Sequence, residues 1–225
     1  MTKSAKAPRK SPARARRDEE KEERRQAIIK AAEKVIARHG WEDTNFGEIA
    51  RRTRLSRSLV YFYFPTREDL FNAVCERGLA DLYECFCAAT KDCRTGLEQL
   101  MALGRAYHEF SKTAPLHFEI LTRMHAQEAG PKGKGADGDA VEDNGEKCLG
   151  FVAQVLARGV ADGSIRKSIG DPVATAVAVW ALTHGLIQIA AQKEAMLKQH
   201  FGLTPEKTMA HGFALLRGAV AASVE

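Results

Sequence analysis

The sequence predicts an all-α protein, and three observations carry that prediction. Apolar residues recur at helical spacing along most of the chain, Pro, Gly, Thr and Asp stand where those segments begin or end, and no alternating apolar stretch is long enough for a sheet. With 225 residues and 44% hydrophobic content, the chain can bury a substantial core. We expect a three-helix N-terminal domain over residues 23–67 and a larger helical domain over residues 68–225.

A basic arm precedes the first helix. Residues 1–17 contain seven Lys and Arg and no acidic residue, so the net charge of +5 leaves −2 for the other 208 residues. Because the arm is rich in Pro and Ser and lacks hydrophobic periodicity, we predict that residues 1–22 are disordered. Two functions stay open: an arm that follows DNA phosphates or the minor groove, and a solvated tail. A transit peptide is less favoured, since acidic residues lead directly into a helix.

The first helix is predicted over residues 18–39. Ile28, Ala32, Val35 and Ile36 share one face at helical spacing. A glycine follows at position 40 and is expected to end the helix.

Residues 45–64, NFGEIARRTRLSRSLVYFYF, predict two short helices joined by a tight turn. Asn45 and Glu48 have the spacing of a capping box at the first helix, and Ser56 can cap the second. The sides that would face a core hold Ile49, Ala50 and Val60. Two such helices, with basic and aromatic residues crowded on the second, are typical of a helix-turn-helix that binds DNA.

The outward side of the second short helix has the chemistry of a major-groove surface. Its members are Arg57, Ser58, Leu59, Tyr61, Phe62 and Tyr63. Arginine can bind guanine through two hydrogen bonds, a serine hydroxyl accepts several bases, and an apolar or aromatic edge can pack on a thymine methyl. Four consecutive aromatic residues on one short helix point in all directions, so the alternative that they only fill a core is disfavoured.

Residues 55–70, LSRSLVYFYFPTREDL, are similar to the signature of the TetR family of transcriptional regulators. Residues 28–36, Gly40, Asn45 and residues 48–50 also stand at that family's spacing, so the resemblance covers about residues 24–75. It implies a homodimer that binds a pseudo-palindromic operator in double-stranded DNA, usually as a repressor. It also implies that the larger helical domain binds a small-molecule inducer and mediates dimerisation.

The resemblance implies roles for individual residues as well. Arg57, Ser58 and Leu59 would contact bases at the start of the recognition helix, with Phe62 one turn further as a contact to a thymine methyl. The residues expected at phosphates are Asn45, Tyr61, Tyr63 and Arg67.

Two departures from the family pattern prevent a transfer of the operator sequence from relatives. Arg54 stands at the turn position that is usually glycine, and Ser58 and Leu59 stand where glycine and a hydroxyl residue are common. A left-handed Arg54 would carry a strain of roughly 1 kcal/mol that glycine avoids.

Turn signals divide the rest of the chain into further helices. Thr66 and Asp69 form another capping-box pattern, so a connecting helix is predicted from there to about Cys87. Its inward residues would be Leu70, Phe71, Val74, Leu79, Leu82 and Phe86. Later helices are predicted over residues 95–112, 115–128, 139–161, 171–199 and 204–222. The glycine- and lysine-rich residues 130–138 lack the P-loop order, so a mobile connection is favoured over a nucleotide site.

The most apolar segment, residues 173–191, nearly reaches membrane-spanning length. His184 and Gln188 would be costly in lipid and no basic cluster flanks the segment, so we predict no membrane association. We predict instead that this helix and the last helix of each subunit form a four-helix dimer interface. The last helix would contribute Phe213, Leu215, Leu216 and Val220, and close approach would be permitted by Ala178, Ala181 and Gly185.

The candidate ligand-binding residues are large apolar side chains with a histidine among them. They are Tyr107, Phe110, Phe118, Met124, Trp180 and His184. Such a lining suits a mostly hydrophobic or aromatic ligand that one or two hydrogen bonds orient. The alternative, that these residues only fill the core, stays open for each of them.

The five cysteines do not predict a metal site. Cys85 and Cys87 would point about 200° apart on a helix, and an odd number of cysteines without an export signal fits a reducing cytoplasm. We interpret the cysteines as buried thiols. The alternative is an oxidant-sensing pair, which would make the protein a thiol-based redox-sensing regulator.

The chain also lacks the sequence patterns of an enzyme. We find no nucleophile elbow, zinc-hydrolase pattern or dinucleotide motif, so we predict no catalytic residue, no metal and no cofactor. The alternative from another class is a helical small-molecule-binding or catalytic protein that binds nucleic acid without sequence choice.

Overall fold

The computed structural model describes residues 12–127 and 136–222, and at residues 12, 15, 123–127 and 136–140 it describes the backbone alone. The described chain is helical throughout, which confirms the all-α class. Its α-helices are α1 (Pro12–His39), α2 (Phe46–Thr53), α3 (Arg57–Tyr63), α4 (Arg67–Thr90), α5 (Gly96–Thr113), α6 (Pro115–Gln127), α7 (Ala136–Ala161), α8 (Pro172–Gln192), α9 (Glu194–Phe201) and α10 (Pro205–Val220). Most of the glycine- and lysine-rich segment lies outside the described residues.

The described helices form two compact units that divide between Val74 and Cys75, inside α4 rather than at its start. The first unit packs α1, α2 and α3 around a core that is at most 1% exposed. That core holds Ile28, Ile29, Val35, Ile49, Val60, Phe64, Leu70 and Val74. The inward residues predicted for the connecting helix α4 are all buried.

Helix α1 begins earlier than predicted. Residues 12–22 are helical, so the prediction that they belong to a disordered arm is wrong, whereas residues 1–11 lie outside the described residues. The helix continues through this charged stretch because side chains one turn apart pair: Arg16 Nε lies 3.3 Å from Glu20 Oε1, and Gln26 donates to Glu22 at 2.8 Å.

Helix α5 is fixed at its start by capping from two directions. Thr95 and Glu98 form the predicted capping box. The amide of Gly96 donates to Asp162 Oδ2 at 2.7 Å, and the amide of Leu97 donates to Ser164 Oγ at 3.0 Å. A side chain at Gly96 would collide with the backbone of Gly159, so glycine permits α5 and α7 to pack this closely.

The predicted helix over residues 171–199 is two helices in the structure. Lys193 leaves helical geometry, with φ −110° and ψ 14°, and separates α8 from α9. Helix α8 has a mean hydropathy of 1.6 over its most apolar window, yet only 22% of that window is buried. By length and composition alone it could cross a membrane, a test that core helices of soluble proteins also pass.

Helix α10 divides its apolar residues between two faces, which corrects the predicted interface. Leu216 and Val220 are buried within the unit, at 4% and 5% exposure, whereas Leu215 is 60% exposed. Phe213 is half-buried and lies against Gly104 of α5. Of the four α10 residues predicted for a dimer contact, Leu215 is thus the one that faces outward.

Candidate functional site

The turn between α2 and α3 has the geometry of a helix-turn-helix. Arg54 is left-handed, with φ 57° and ψ 30°, and its amide bonds to carbonyls at the end of α2. The amide of Leu55 then donates to the Ala50 carbonyl at 3.0 Å, which closes the turn. Ser56 caps α3, as predicted, by accepting from the Leu59 amide at 3.2 Å.

The start of α2 is capped by Asn45 alone rather than by the predicted capping box. The Asn45 side chain accepts from the Gly47 amide at 2.7 Å. Glu48 instead pairs with Arg52 at 2.9 Å, one turn further along α2, and lies 3.4 Å from His39 of α1. The Arg52 hydrogen bond holds the pKa of the Glu48 carboxyl below its usual value. Two basic partners thus draw this carboxylate away from the backbone of Asn45.

The outward face of α3 presents a basic and aromatic surface to solvent. Arg57 and Ser58 are exposed, Tyr61 is 41% exposed and Phe62 is 69% exposed. The Arg57 guanidinium lies 5.8 Å from the centre of the Tyr61 ring, close enough for a cation–π contact. Leu59 and Tyr63 are half-buried. We call Arg57, Ser58, Tyr61 and Phe62 the recognition face.

Arg67 has a structural role that the sequence did not indicate. Its Nη2 donates to the carbonyls of Trp41 and Glu42, both at 2.6 Å, and its guanidinium lies 5.4 Å from the centre of the Trp41 ring. These contacts tie the start of α4 to the turn after α1. If Arg67 also contacts a phosphate, as predicted, it must do so while Nη2 donates to these two carbonyls.

A second group of functional candidates lies inside the second unit, where α5, α6 and α8 meet. The structure brings together four of the predicted ligand-binding residues: Tyr107, Phe118, Trp180 and His184. Their ring centroids lie 5.0 Å (Phe118–His184) to 6.3 Å (Trp180–His184) apart. We call these residues, with Thr122, the histidine cluster.

Hydroxyl groups flank both nitrogens of the His184 ring. Tyr107 Oη lies 2.8 Å from Nδ1, and Thr122 Oγ1 lies 3.3 Å from Nε2. Burial raises the pKa of Tyr107 to about 12, against a smaller opposing effect of a hydrogen bond from Trp180. Thr122 could not be predicted from the sequence, because a single threonine 62 positions from its histidine partner has no local signal.

The two remaining ligand-binding candidates have other positions. Phe110 is buried and stacks on His117 at a centroid distance of 6.5 Å. The side chain of Met124 lies outside the described residues.

The cysteines fall into three environments, and Cys93 is half-buried, between the other two groups. Cys75 and Cys148 are buried, and burial raises the pKa of the Cys148 thiol to about 12, which disfavours a reactive thiolate. Cys85 and Cys87 are exposed on α4, so the interpretation as buried thiols is wrong for this pair. The oxidant-sensing alternative stays a prediction.

Two family models match the chain. The model for bacterial regulatory proteins of the tetR family matches residues 28–74, and a tetracyclin repressor-like C-terminal domain model matches residues 100–216, more than half of the chain. The chain belongs to the TetR family. The first match contains the recognition face and the second contains the histidine cluster.

Curated relatives named as HTH-type transcriptional regulators match part of the chain. The transcriptional regulator BetI of Rhizobium meliloti is 34% identical over 92 residues, which is 41% of this chain and 45% of BetI. The uncharacterized regulator YfiR of Bacillus subtilis is 36% identical over 61 residues, 27% of this chain and 30% of YfiR. The chain thus matches less than half the length of either relative.

Solved structures share the fold over nearly the whole chain. A transcriptional regulator from Saccharomonospora viridis in complex with choline has a TM-score of 0.71 at 16% identity, covering 90% of this chain and 100% of that one. The ketosteroid regulator KstR2 of Mycobacterium tuberculosis has a TM-score of 0.62 at 17% identity, covering 89% and 96%. At these identities the likeness shows the fold alone. The predicted TetR membership and its N-terminal helix-turn-helix with a helical C-terminal domain are confirmed, and the chain is a transcriptional regulator.

Proposed function

We propose that this TetR-family protein is a homodimeric, cytoplasmic repressor that binds a pseudo-palindromic operator and releases it when a small ligand occupies the second unit. The observation that carries the proposal is the recognition face, an exposed basic and aromatic surface on the second helix of a helix-turn-helix. Tyr61 and Phe62 are exposed beside Arg57 on this face, and basic and aromatic side chains together suit the base edges and thymine methyls of a major groove.

Different residues of the DNA-binding unit are proposed to contact bases and phosphates. Arg57 and Ser58 lie in the first turn of α3, where a recognition helix meets base edges, and Phe62 stands one turn later, where it can pack on a thymine methyl. Leu59, half-buried, contributes its exposed edge. The residues proposed at phosphates are Asn45, Tyr61, Tyr63 and Arg67.

The basic arm adds affinity that does not depend on sequence. Residues 1–11 contain four Lys and Arg, and Arg14, Arg16 and Arg17 continue the charge into α1. Each phosphate contact releases counterions, so removal of residues 1–11 should make operator affinity less sensitive to salt. An unchanged slope of log affinity against log salt in the deletion variant would refute this role.

The dimer is proposed to form through the exposed sides of α8 and α10. On α8 this side holds Ala174, Val177, Ala178, Ala181, Leu182 and Ile189, and on α10 it holds Ala210, Ala214, Leu215 and Gly218. Small residues recur every three or four positions on both helices, which allows another helix to approach closely. A Cβ added at Gly185 or Gly218 would meet nothing within 4 Å, so this side is open in the single chain.

An introduced carboxylate tests the dimer. Leu215→Asp would place one in the proposed interface, whereas Gln154→Asp would place one on the exposed surface of α7. In sedimentation of the full chain, we expect Leu215→Asp to sediment as a monomer and Gln154→Asp as a dimer. A wild-type monomer, or wild-type protein that enters lipid vesicles, would refute the proposed interface.

The ligand is proposed to act at the histidine cluster, which has the aromatic lining and polar groups of a small-molecule site. Helix α6 carries Phe118 and Thr122 of this cluster and also contacts α4. His117 Nδ1 lies 3.7 Å from Asp81 Oδ2, and the His117 side chain packs on Gly78. A ligand that moves α6 would thereby move α4, whose first residues belong to the DNA-binding unit.

Induction requires that the ligand prefer a conformation that does not fit the operator. A ligand that binds both conformations equally well does not shift the equilibrium between them.

The direct test of the whole proposal is enrichment of binding sites from random duplex DNA by the full-length protein. We expect two inverted half-sites at a fixed spacing, since a two-fold symmetric protein requires matching half-sites. Uniform retention of all sequences would favour the alternative, a helical protein that binds nucleic acid without sequence choice.

A further inference from the structure

The hydrogen on the Thr122 hydroxyl determines which ring nitrogen of neutral His184 carries its hydrogen. Thr122 Oγ1 lies 2.9 Å from the Phe118 carbonyl oxygen, one turn earlier on α6, and 3.3 Å from His184 Nε2. A hydroxyl has one hydrogen, and a carbonyl can only accept. The shorter contact therefore takes the Thr122 hydrogen. Thr122 Oγ1 can then only accept from His184, so Nε2 carries the ring hydrogen.

The role of His184 Nδ1 follows from that of Nε2. A neutral imidazole that bears its hydrogen on Nε2 has a lone pair on Nδ1. The Tyr107 hydroxyl, 2.8 Å away, must donate to that lone pair. Trp180 in turn donates its indole N–H to the Tyr107 oxygen. The result is a directed chain of hydrogen bonds from Trp180 through Tyr107, His184 and Thr122 to the Phe118 carbonyl.

This chain uses every polar hydrogen of the four side chains. What it leaves for an incoming molecule is a second lone pair on the half-buried Thr122 Oγ1, together with the negative faces of the aromatic rings; Tyr107 itself is buried. Phe118, Thr122, Trp180 and His184 are only half-buried, so the cluster has an accessible side. The cluster thus offers an acceptor and π faces to a ligand.

We infer that the ligand of the histidine cluster is an organic ammonium compound, bound by cation–π contact and N–H donation, and that carboxylates are rejected. An ammonium group is attracted to the ring faces and can donate to the free lone pair. A carboxylate brings only acceptors, so it would meet that lone pair without a hydrogen between them. This inference rests on the proposed function in placing the ligand at this cluster.

The hydrogen-bond chain is tested by NMR on the full-length protein with ¹⁵N-labelled histidine, with the His184 signals assigned from a His184→Gln variant. We expect a lone pair at Nδ1 and a hydrogen at Nε2 near neutral pH. Thr122→Val should shift the Nε2 signal by removing its acceptor. Thr208→Val is the matched control, because Thr208 makes the same one-turn bond, 3.0 Å to the Thr204 carbonyl, on another helix. A hydrogen on Nδ1 would overturn the inference.

The ligand class is tested with three probes of one shape: benzylammonium, benzyl alcohol and benzoate. Their affinities are taken from the displacement of the His184 signals during titration. We expect benzylammonium to bind at least about tenfold more tightly than benzoate, with the alcohol between them. Equal or tighter binding of benzoate contradicts the inference, as do unchanged His184 signals at millimolar benzylammonium.

Operator affinity measured with the same probes separates the two proposals. If the probes bind in the expected order and operator affinity does not change, the ligand class stands and the induction mechanism fails. If the protein binds its operator with sequence choice but benzoate is preferred, the proposed DNA-binding function stands and the ligand class fails.

Discussion

The protein has two groups of aromatic residues beside basic or polar side chains, and they differ in what satisfies them. On the recognition face, Arg57 lies over Tyr61, and Phe62 remains 69% exposed. In the histidine cluster, hydroxyl groups lie within hydrogen-bond distance of both His184 nitrogens, and Thr122 also donates to the Phe118 carbonyl. The first group leaves an arginine and an aromatic ring exposed to solvent, whereas the polar groups of the second already bond to one another.

This difference indicates how each region would respond to binding. Arg57 and Phe62 of the recognition face can gain contacts with DNA at little cost to the folded chain, so these two residues can be altered with little loss of stability. Tyr61 also packs on buried Phe46, at a ring-centroid distance of 4.8 Å. A ligand at the histidine cluster would contact residues of α5, α6 and α8 at once. Binding there is therefore coupled to helix position, which is what a conformational switch requires.

Two phenylalanines at the end of α3 provide the largest expected contrast. Phe64 is fully buried and Phe62 is exposed. We expect Phe64→Ala to lower the free energy of unfolding by about 3–5 kcal/mol and Phe62→Ala to change it by less than about 0.5 kcal/mol. Urea unfolding of both variants measures this. Equal losses would show that Phe62 belongs to the core and would remove the recognition face.

Adjacent leucines on α10 make a similar pair in the second unit. Leu216→Ala should cost about 2–5 kcal/mol of stability at every protein concentration, because Leu216 lies in the core of its own chain. The loss from Leu215→Ala should grow with protein concentration, since it weakens a dimer whose formation stabilises the fold. Thermal unfolding over a concentration series distinguishes them, and a concentration-independent effect of Leu215→Ala contradicts the dimer surface.

Arg57 and Arg52 provide a contrast in DNA binding. We expect Arg57→Ala to lower discrimination at one base pair of each half-site by about 1–3 kcal/mol. Arg52 pairs with Glu48, so Arg52→Ala should leave base preference unchanged. Affinities for single-base operator variants at one salt concentration measure both. A uniform loss across all operators in Arg57→Ala would make Arg57 a phosphate contact.

The smallest effect is expected at Arg54, whose left-handed backbone suits glycine. Relief of a strain of roughly 1 kcal/mol is offset by the greater freedom of glycine in the unfolded chain, so Arg54→Gly should be nearly neutral. Arg54→Val places a β-branched side chain in the same left-handed conformation, which such residues tolerate worst, and should be less stable than Arg54→Gly by about 1 kcal/mol. A more stable valine variant, in the same unfolding assay, would mean that the turn relaxes.

The sequence predicted the DNA-binding unit well because its signals are local. The Ser56 cap and the possible left-handed Arg54 lie within a few residues of the groups they act on, and both are found. The structural contacts of Arg67 could not be predicted because its partners, the carbonyls of Trp41 and Glu42, lie at least 25 positions away. A pattern of residue types does not show which arginine donates hydrogen bonds within the folded chain.

The second unit was less predictable for the same reason. Periodicity placed Leu215 and Leu216 together, because on a helix that is apolar on two faces it does not separate the core of one chain from the contact with another. The hydrogen bonds of His184 join residues 62 and 77 positions apart. Aromatic composition nevertheless identified four members of the cluster.

The most direct test of the central claim is a footprint of the full-length protein on the DNA upstream of its own gene, with random DNA of equal length as the control and the salt concentration fixed. We expect protection of two symmetric half-sites at concentrations that leave the random DNA unprotected, and loss of that difference in Arg57→Ala. Protection no better than on random DNA would contradict the assignment of a sequence-specific regulator.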